Sequence, residues 1–244
     1  MSLLLFFLGE EMPENQISFK TRVKNALIQY AGVYYTQFVC KDYLLISDAF
    51  HKQAYYILSA EKDNFLHLTG VTTSLSPSSF FDKCLNGSLE EDDFDLTSHG
   101  QDEKASKGSI RRKIKSLPYI GGLISASSYV EEDFRKNSVF CSIASSDGSC
   151  TMGFIAVPKA RPKTLLIGNE LDSAKAQPLK IILMKSRSDT LFDTVIAGND
   201  NDLVSNYELI KTHIDAALNS RILSAFPNEK NPESIKSTEE PSES

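Results

Sequence analysis

One eight-residue run carries side chains suited to phosphate chemistry: Asn64-Phe65-Leu66-His67-Leu68-Thr69-Gly70-Val71. Its alternation predicts a strand, with Phe65, His67 and Thr69 on one face and Leu66 and Leu68 on the other. Positions i and i+2 of a strand stand about 6.5–7 Å apart, so His67 and Thr69 would both reach one bound phosphate. Imidazole changes protonation near neutral pH and suits proton transfer. A histidine satisfied inside a packed core would show the same pattern.

Further cations and hydroxyls extend the candidate set. Arg161 and Lys163 flank Pro162 just before an apolar run, and Lys185, Ser186 and Arg187 end another that starts at Leu179. Any of them could offset charge on a phosphorane transition state; each also reads as a solvated strand end. Arg111, Arg112, Lys113 and Lys115 sit on one short basic segment, a pattern that favours contact with a nucleic-acid backbone over catalysis. The alternative is a solvated face opposite Glu90–Asp95. Residues 99–188 hold 15 Lys and Arg against 8 Asp and Glu, whereas residues 1–98 and 189–244 hold 7 against 13 and 4 against 11. A basic middle thus lies inside a chain of net charge −6. A local positive field attracts phosphate-bearing partners whatever the total charge, unless the acidic flanks neutralise it within one fold.

The common catalytic signatures are absent. No GxGxxG, Walker loop, GxSxG elbow, HExxH or EF-hand loop occurs. Four histidines (His51, His67, His99, His213) and four cysteines (Cys40, Cys84, Cys141, Cys150) show neither zinc-ligand spacing nor a CxxC pair. No metal and no cofactor is expected, and the cysteines read as buried free thiols. Leu3–Leu8 is apolar over six residues without a preceding cation, too short for a membrane span or secretory signal. The expectation is a cytoplasmic protein without membrane attachment, with residues 1–15 an N-terminal extension and Met12 a second candidate start.

The chain of 244 residues, 41% hydrophobic and 24% charged, is long enough for a sizeable core. Phe19, Val23, Ala26, Leu27, Tyr30 and Tyr34 recur at helical spacing and predict a first helix over roughly 16–37. Strands are expected at Tyr43–Ile46, Ala54–Leu58 and Asn64–Val71. Ser76-Pro77 caps a second helix that Asn86-Gly87 ends. Residues 88–108 lose hydrophobic pattern and predict an exposed mobile loop, followed by the basic helix at 109–117. Ser138–Ala144 and Met152–Val157 flank the hairpin pair Asp147-Gly148, and Thr164–Ile167 and Leu179–Met184 are further strands. Leu203, Tyr207, Ile210, Ile214, Ala217 and Leu218 mark a last helix. A disordered acidic tail is expected at 223–244. The order predicts one α+β domain over 16–222: N-terminal helices packed on an antiparallel sheet of about four or more strands, with a C-terminal helix.

Asn64–Val71, followed by Phe80-Phe81-Asp82-Lys83-Cys84-Leu85-Asn86-Gly87, resembles a phage and mobile-element nuclease-like family of the Barnase–EndoU–colicin E5/D–RelE group, its fourth member family, marked by a His-Leu-Thr-Gly strand. The likeness extends more weakly to about residues 17–190. It implies a four-stranded sheet cradling RNA and metal-independent cleavage, in which the 2′-OH attacks the adjacent phosphorus. Under that resemblance His67 is the base or acid and Thr69 donates a hydrogen bond to the phosphate.

Three readings stay open. The first is an RNA-cleaving effector or toxin of a phage or mobile element, with an inhibitory protein partner as a further expectation. The second is an inactive nuclease fold that binds RNA or protein as a regulator. The third is an interaction protein whose acidic segments bind a basic partner. They differ in whether His67 faces an open basic cleft or packed side chains.

Overall fold

The computed structural model describes residues 17–97 and 102–226. The N-terminal extension, His99 and the chain from Pro227 onward lie outside these residues.

Helix α1 (Phe19–Tyr34) starts where Ser18 Oγ accepts the Thr21 N–H at 3.0 Å, and it buries Val23, Leu27, Ala31 and Tyr34. A π turn (Tyr35–Val39) leads into strands β1 (Lys41–Ile46) and β2 (Tyr56–Ser59). Helix α2 (Asn64–Thr69) follows, then α3 (Pro77–Leu85), capped by Ser76 with Pro77 in its first turn. Helix α4 (Glu103–Ser116) begins at Asp102, whose carboxylate accepts the Ala105 N–H at 2.9 Å.

Strands β3 (Tyr129–Glu132), β4 (Arg135–Lys136), β5 (Val139–Phe140), β6 (Ile143–Ser146), β7 (Cys150–Ala156), β8 (Ala160–Ile167), β9 (Gln177–Pro178), β10 (Ile181–Ser186) and β11 (Thr194–Ala197) come next. Helices α5 (Asp200–Ser205), α6 (Tyr207–Ile210) and α7 (Ala216–Ala225) complete the described chain.

The fold is α+β, with a larger sheet than expected. Nine strands run in the order β11-β10-β1-β2-β8-β7-β6-β3-β9, while β4 and β5 form a separate ribbon. All pairings in the large sheet are antiparallel except β2 with β8. The sheet curls back on itself: β9 pairs with β3 at one edge, yet Lys180 N–H already donates to Ile46 O of β1 at 2.9 Å. Ser47 Oγ closes the same gap by donating to Pro178 O at 2.9 Å.

Alternation along β1 splits the interior in two. Tyr43 and Leu45 face the large core shared with α1 to α4, while Leu44 and Ile46 face a second core built with Ile181, Leu183 and the C-terminal helices. A third, small core of Phe134, Cys141 and Ala144 anchors the β4–β5 ribbon.

Four expectations need correction. Asn64–Val71 is not a strand: it buries Phe65, Leu68 and Thr69 at i, i+3 and i+4, a helical face. Tyr34, Phe65 and Phe81 form a ring cluster with centroids 5.2–5.7 Å apart, which locks α2 between α1 and α3. Where residues 88–108 were expected as a mobile loop, Leu89 and Phe94 are buried, Thr72 pairs with Asp95, and α4 already begins at Glu103. The predicted last helix is divided among α5, α6 and α7, so the expected tail from 223 begins within α7. Finally, the run Ser138–Ala144 breaks into β5 and β6.

Candidate active site

Helix α2 lies against β8, and between α2, β7 and β8 opens a cavity of about 400 Å³. Its lining is Asn64 and His67 from α2, Ile155 and Val157 from β7 and the turn beyond it, and Arg161, Pro162 and Lys163 from β8. His67 is exposed and faces this cavity. Three of the predicted site residues, His67, Arg161 and Lys163, are thus brought together.

The local sequence explains each placement. Gly70 adopts φ +77 and ends α2 in the left-handed conformation that glycine tolerates best. Thr69, fully buried, donates its hydroxyl to Leu66 O at 2.8 Å and accepts the Val71 N–H at 3.3 Å. Its side chain is therefore part of the helix terminus and does not line the cavity. The expected shared face of His67 and Thr69 belonged to a strand, and on a helix positions i and i+2 diverge. Lys113 of α4 donates to His67 O at 2.6 Å and so caps the end of α2. Burial pulls its ammonium down to about 8.

On β8 the register against β7 slips between Gly153 and Phe154: Gly153 faces Thr164, but Phe154 faces Pro162. Lys163 is the additional residue of this bulge, and a bulge re-aims its side chain. Its ammonium donates to Phe140 O at 3.0 Å. Gly153 is fixed by its neighbours, since a Cβ there would collide with Cys141 Sγ.

Beside the cavity stands an ionic cluster whose assembly no sequence pattern marks. Asp42 of β1 lies opposite Lys185 of β10 and opposite Ser59 of β2, so register alone assembles its surroundings. Its buried carboxylate meets Arg187 at 2.6 Å, Lys159 at 3.1 Å and Lys185 at 3.5 Å. Burial by itself would raise the Asp42 pKa; the hydrogen bonds from Ser59, Arg187 and Lys159 outweigh it and hold the carboxyl below its ordinary range. Arg187 also pairs with Glu61, and Arg161 stands 4.0 Å from that same carboxylate.

Lys185 and Ser186 belong to this cluster and its rim. Lys185 is buried beside Asp42 and donates to Asp189 O, while Ser186 Oγ lies 3.0 Å from Ser188 Oγ. Neither lines the His67 cavity. Of the basic-helix residues, Arg111, Arg112 and Lys115 are exposed, Arg111 with its guanidinium 5.2 Å over the Phe19 ring, and Lys113 is the strut on α2.

Among the described residues no three His, Cys, Asp or Glu side chains cluster as metal ligands, and no helix is long and apolar enough to cross a membrane.

An α+β chain with an exposed histidine and two cations around one cavity has the makings of a phosphodiester-cleaving protein. The family model described as phage-Barnase-EndoU-ColicinE5/D-RelE like nuclease4 matches residues 27–243. The chain belongs to this family of phage-associated nucleases, and the match runs past the sequence resemblance to include the C-terminal helices. No curated protein and no solved structure matches the chain.

Proposed function

We propose that the protein is a metal-independent endoribonuclease that cleaves at the His67 cavity, acting as an effector or toxin of a phage or mobile element. The observation that carries the reading is the exposed His67 imidazole in one cavity with Arg161 and Lys163. In the reaction the ribose 2′-OH attacks the adjacent phosphorus, its proton leaves to a base, and the 5′ oxygen departs with a proton from an acid. The products are a 2′,3′-cyclic phosphate and a 5′-hydroxyl. His67 serves as the proton-transfer group. Arg161 and Lys163 offset the charge that builds on the phosphorane oxygens. The open, cation-lined setting of His67 favours this reading over an inactive fold, in which the histidine would face packed side chains.

The test is cleavage of a labelled RNA pool by the full-length chain in EDTA at about 50 mM salt, where phosphate contacts are little screened. Wild type should cut RNA and leave the matching DNA intact, and His67→Ala should lose roughly 10²–10⁴-fold in rate with an unchanged Tm. Salt-sensitive RNA binding without cutting would move the assignment to an RNA-binding regulator.

A further inference from the structure

The cavity has a neighbour. A second hollow of about 270 Å³ is lined by Asp133, Phe134, Arg135, Phe140, Cys141, Ser142 and Ile155. Ile155 lines both hollows, and Lys163, which lines the first, donates to the carbonyl of Phe140 in the second. Phe140 is 54% exposed, an unusual position for a phenylalanine. It faces Arg135 across the β4–β5 ribbon, with the guanidinium 5.3 Å above its ring.

The ribbon is held firmly. Phe134 and Cys141 at its base are buried in the third core and joined by a backbone hydrogen bond of 3.0 Å. Lys136 pairs with Glu170 at 2.5 Å, and Asp133 with Lys52 at 2.6 Å. A water-facing aromatic is therefore presented on a rigid support, with Arg135 and Lys163 beside it and the candidate cleavage cavity adjoining.

We propose that Phe140 and Arg135 form a nucleobase subsite, which stacks an unpaired base of the nucleotide next to the scissile phosphate. Flat aromatic and guanidinium surfaces accept any base through its π face, and the cations nearby suit the attached phosphate. The inference rests on the proposed nuclease site and supplies its substrate class: single-stranded nucleic acid with splayed bases. Lys163 then spans the two sites, since an ammonium has three donors and Phe140 O takes one.

The experiment is equilibrium binding of a fluorescent single-stranded RNA oligonucleotide at about 50 mM salt to the full-length His67→Ala chain, which holds the RNA uncut. Adding Phe140→Ala should weaken binding by roughly five- to 150-fold, while adding Phe140→Trp should preserve it. An oligonucleotide of the same length without bases should bind more weakly and lose little further on Phe140→Ala. Equal losses for the two oligonucleotides, or no loss for either, would overturn the subsite and leave Phe140 to a protein partner. Cleavage by wild type is scored separately, so a chain that binds in this way without cutting would refute the nuclease reading and keep the base subsite.

Discussion

Two groups of cations lie side by side near β8, and they differ in what they are attached to. Around Asp42, three cations share one buried carboxylate, and Arg187 is also taken by Glu61. Around His67, among the described residues, Lys163 is held only by a carbonyl, and Arg161 has only a distant ion pair at 4.0 Å. A guanidinium or ammonium saturated by a buried carboxylate has little left to offer an incoming phosphate. One that borders open space keeps its field and its donors. Lysine or arginine identity therefore says little about role; the partner decides. The Asp42 cluster ties β1, β2 and β10 together, and the His67 group is left for a ligand.

The sharpest way to break this contrast is to remove the shared carboxylate. Asp42→Ala strands Lys159, Lys185 and Arg187 without their partner and should cost about 3–5 kcal/mol of folding stability, read as a lower urea midpoint. His67→Ala should leave that midpoint in place and slow cleavage by roughly 10²–10⁴-fold. Should Asp42→Ala fold normally and only lose activity, the assignment of the cluster to structure would be wrong.

Acid titration sharpens the same point. The Asp42 carboxyl is held below its unfolded value of 3.8. The unfolded chain therefore binds its proton first as pH falls, and the stabilisation present above pH about 4 is lost below it. Asp42→Asn should be less stable at neutral pH and should flatten that part of the pH–stability curve. A wild-type curve with the same acid slope as the variant would refute the linkage.

A smaller effect is expected where the two structural devices at the end of α2 meet. Gly70→Ala forces a side chain into φ +77, which costs about 1–2 kcal/mol. Its new Cβ would also lie 2.9 Å from Lys113 Cδ. Because Lys113 holds the His67 carbonyl, the variant should lose about tenfold in kcat with KM little altered. A change confined to KM would separate Gly70 from the positioning of His67.

These sites were unevenly legible in the sequence. His67 is legible from residue type and its place in the Asn64–Val71 motif, and Arg161 and Lys163 from their nearness to a strand end. Their meeting is not, because α2 spans six residues, and under two turns an apolar run fits period 2 nearly as well as 3.6. The better clue was Gly70 directly after Thr69, a helix stop signal. Asp42 and Arg187 are 145 residues apart and meet only through β1–β10 register, so no local pattern marks their meeting. Strands β4, β5 and β9 have two residues each, too few for any alternation to show. That is why no sequence pattern marks the exposed Phe140 as a stacking surface.

The finest distinction lies among the α4 cations, which the sequence grouped as one backbone-binding set. Lys113 is half-buried with its ammonium on His67 O, and Arg111 is exposed but lies against the Phe19 ring, whereas Arg112 and Lys115 are exposed without such a contact. If only exposed, unpartnered cations meet phosphate, Arg112→Ala should weaken RNA binding a few-fold and lower the salt slope by about 0.7, the contribution of one phosphate contact on a single strand. Lys113→Met should leave that slope unchanged while lowering kcat, because the half-buried ammonium it removes is engaged in holding α2. The pair of slopes, measured between about 50 and 200 mM salt, applies within one helix the rule that separates the Asp42 cluster from the His67 cavity. Equal slope changes for the two variants would mean that a cation capping a helix can still bind nucleic acid, and partner occupancy would no longer assign role here.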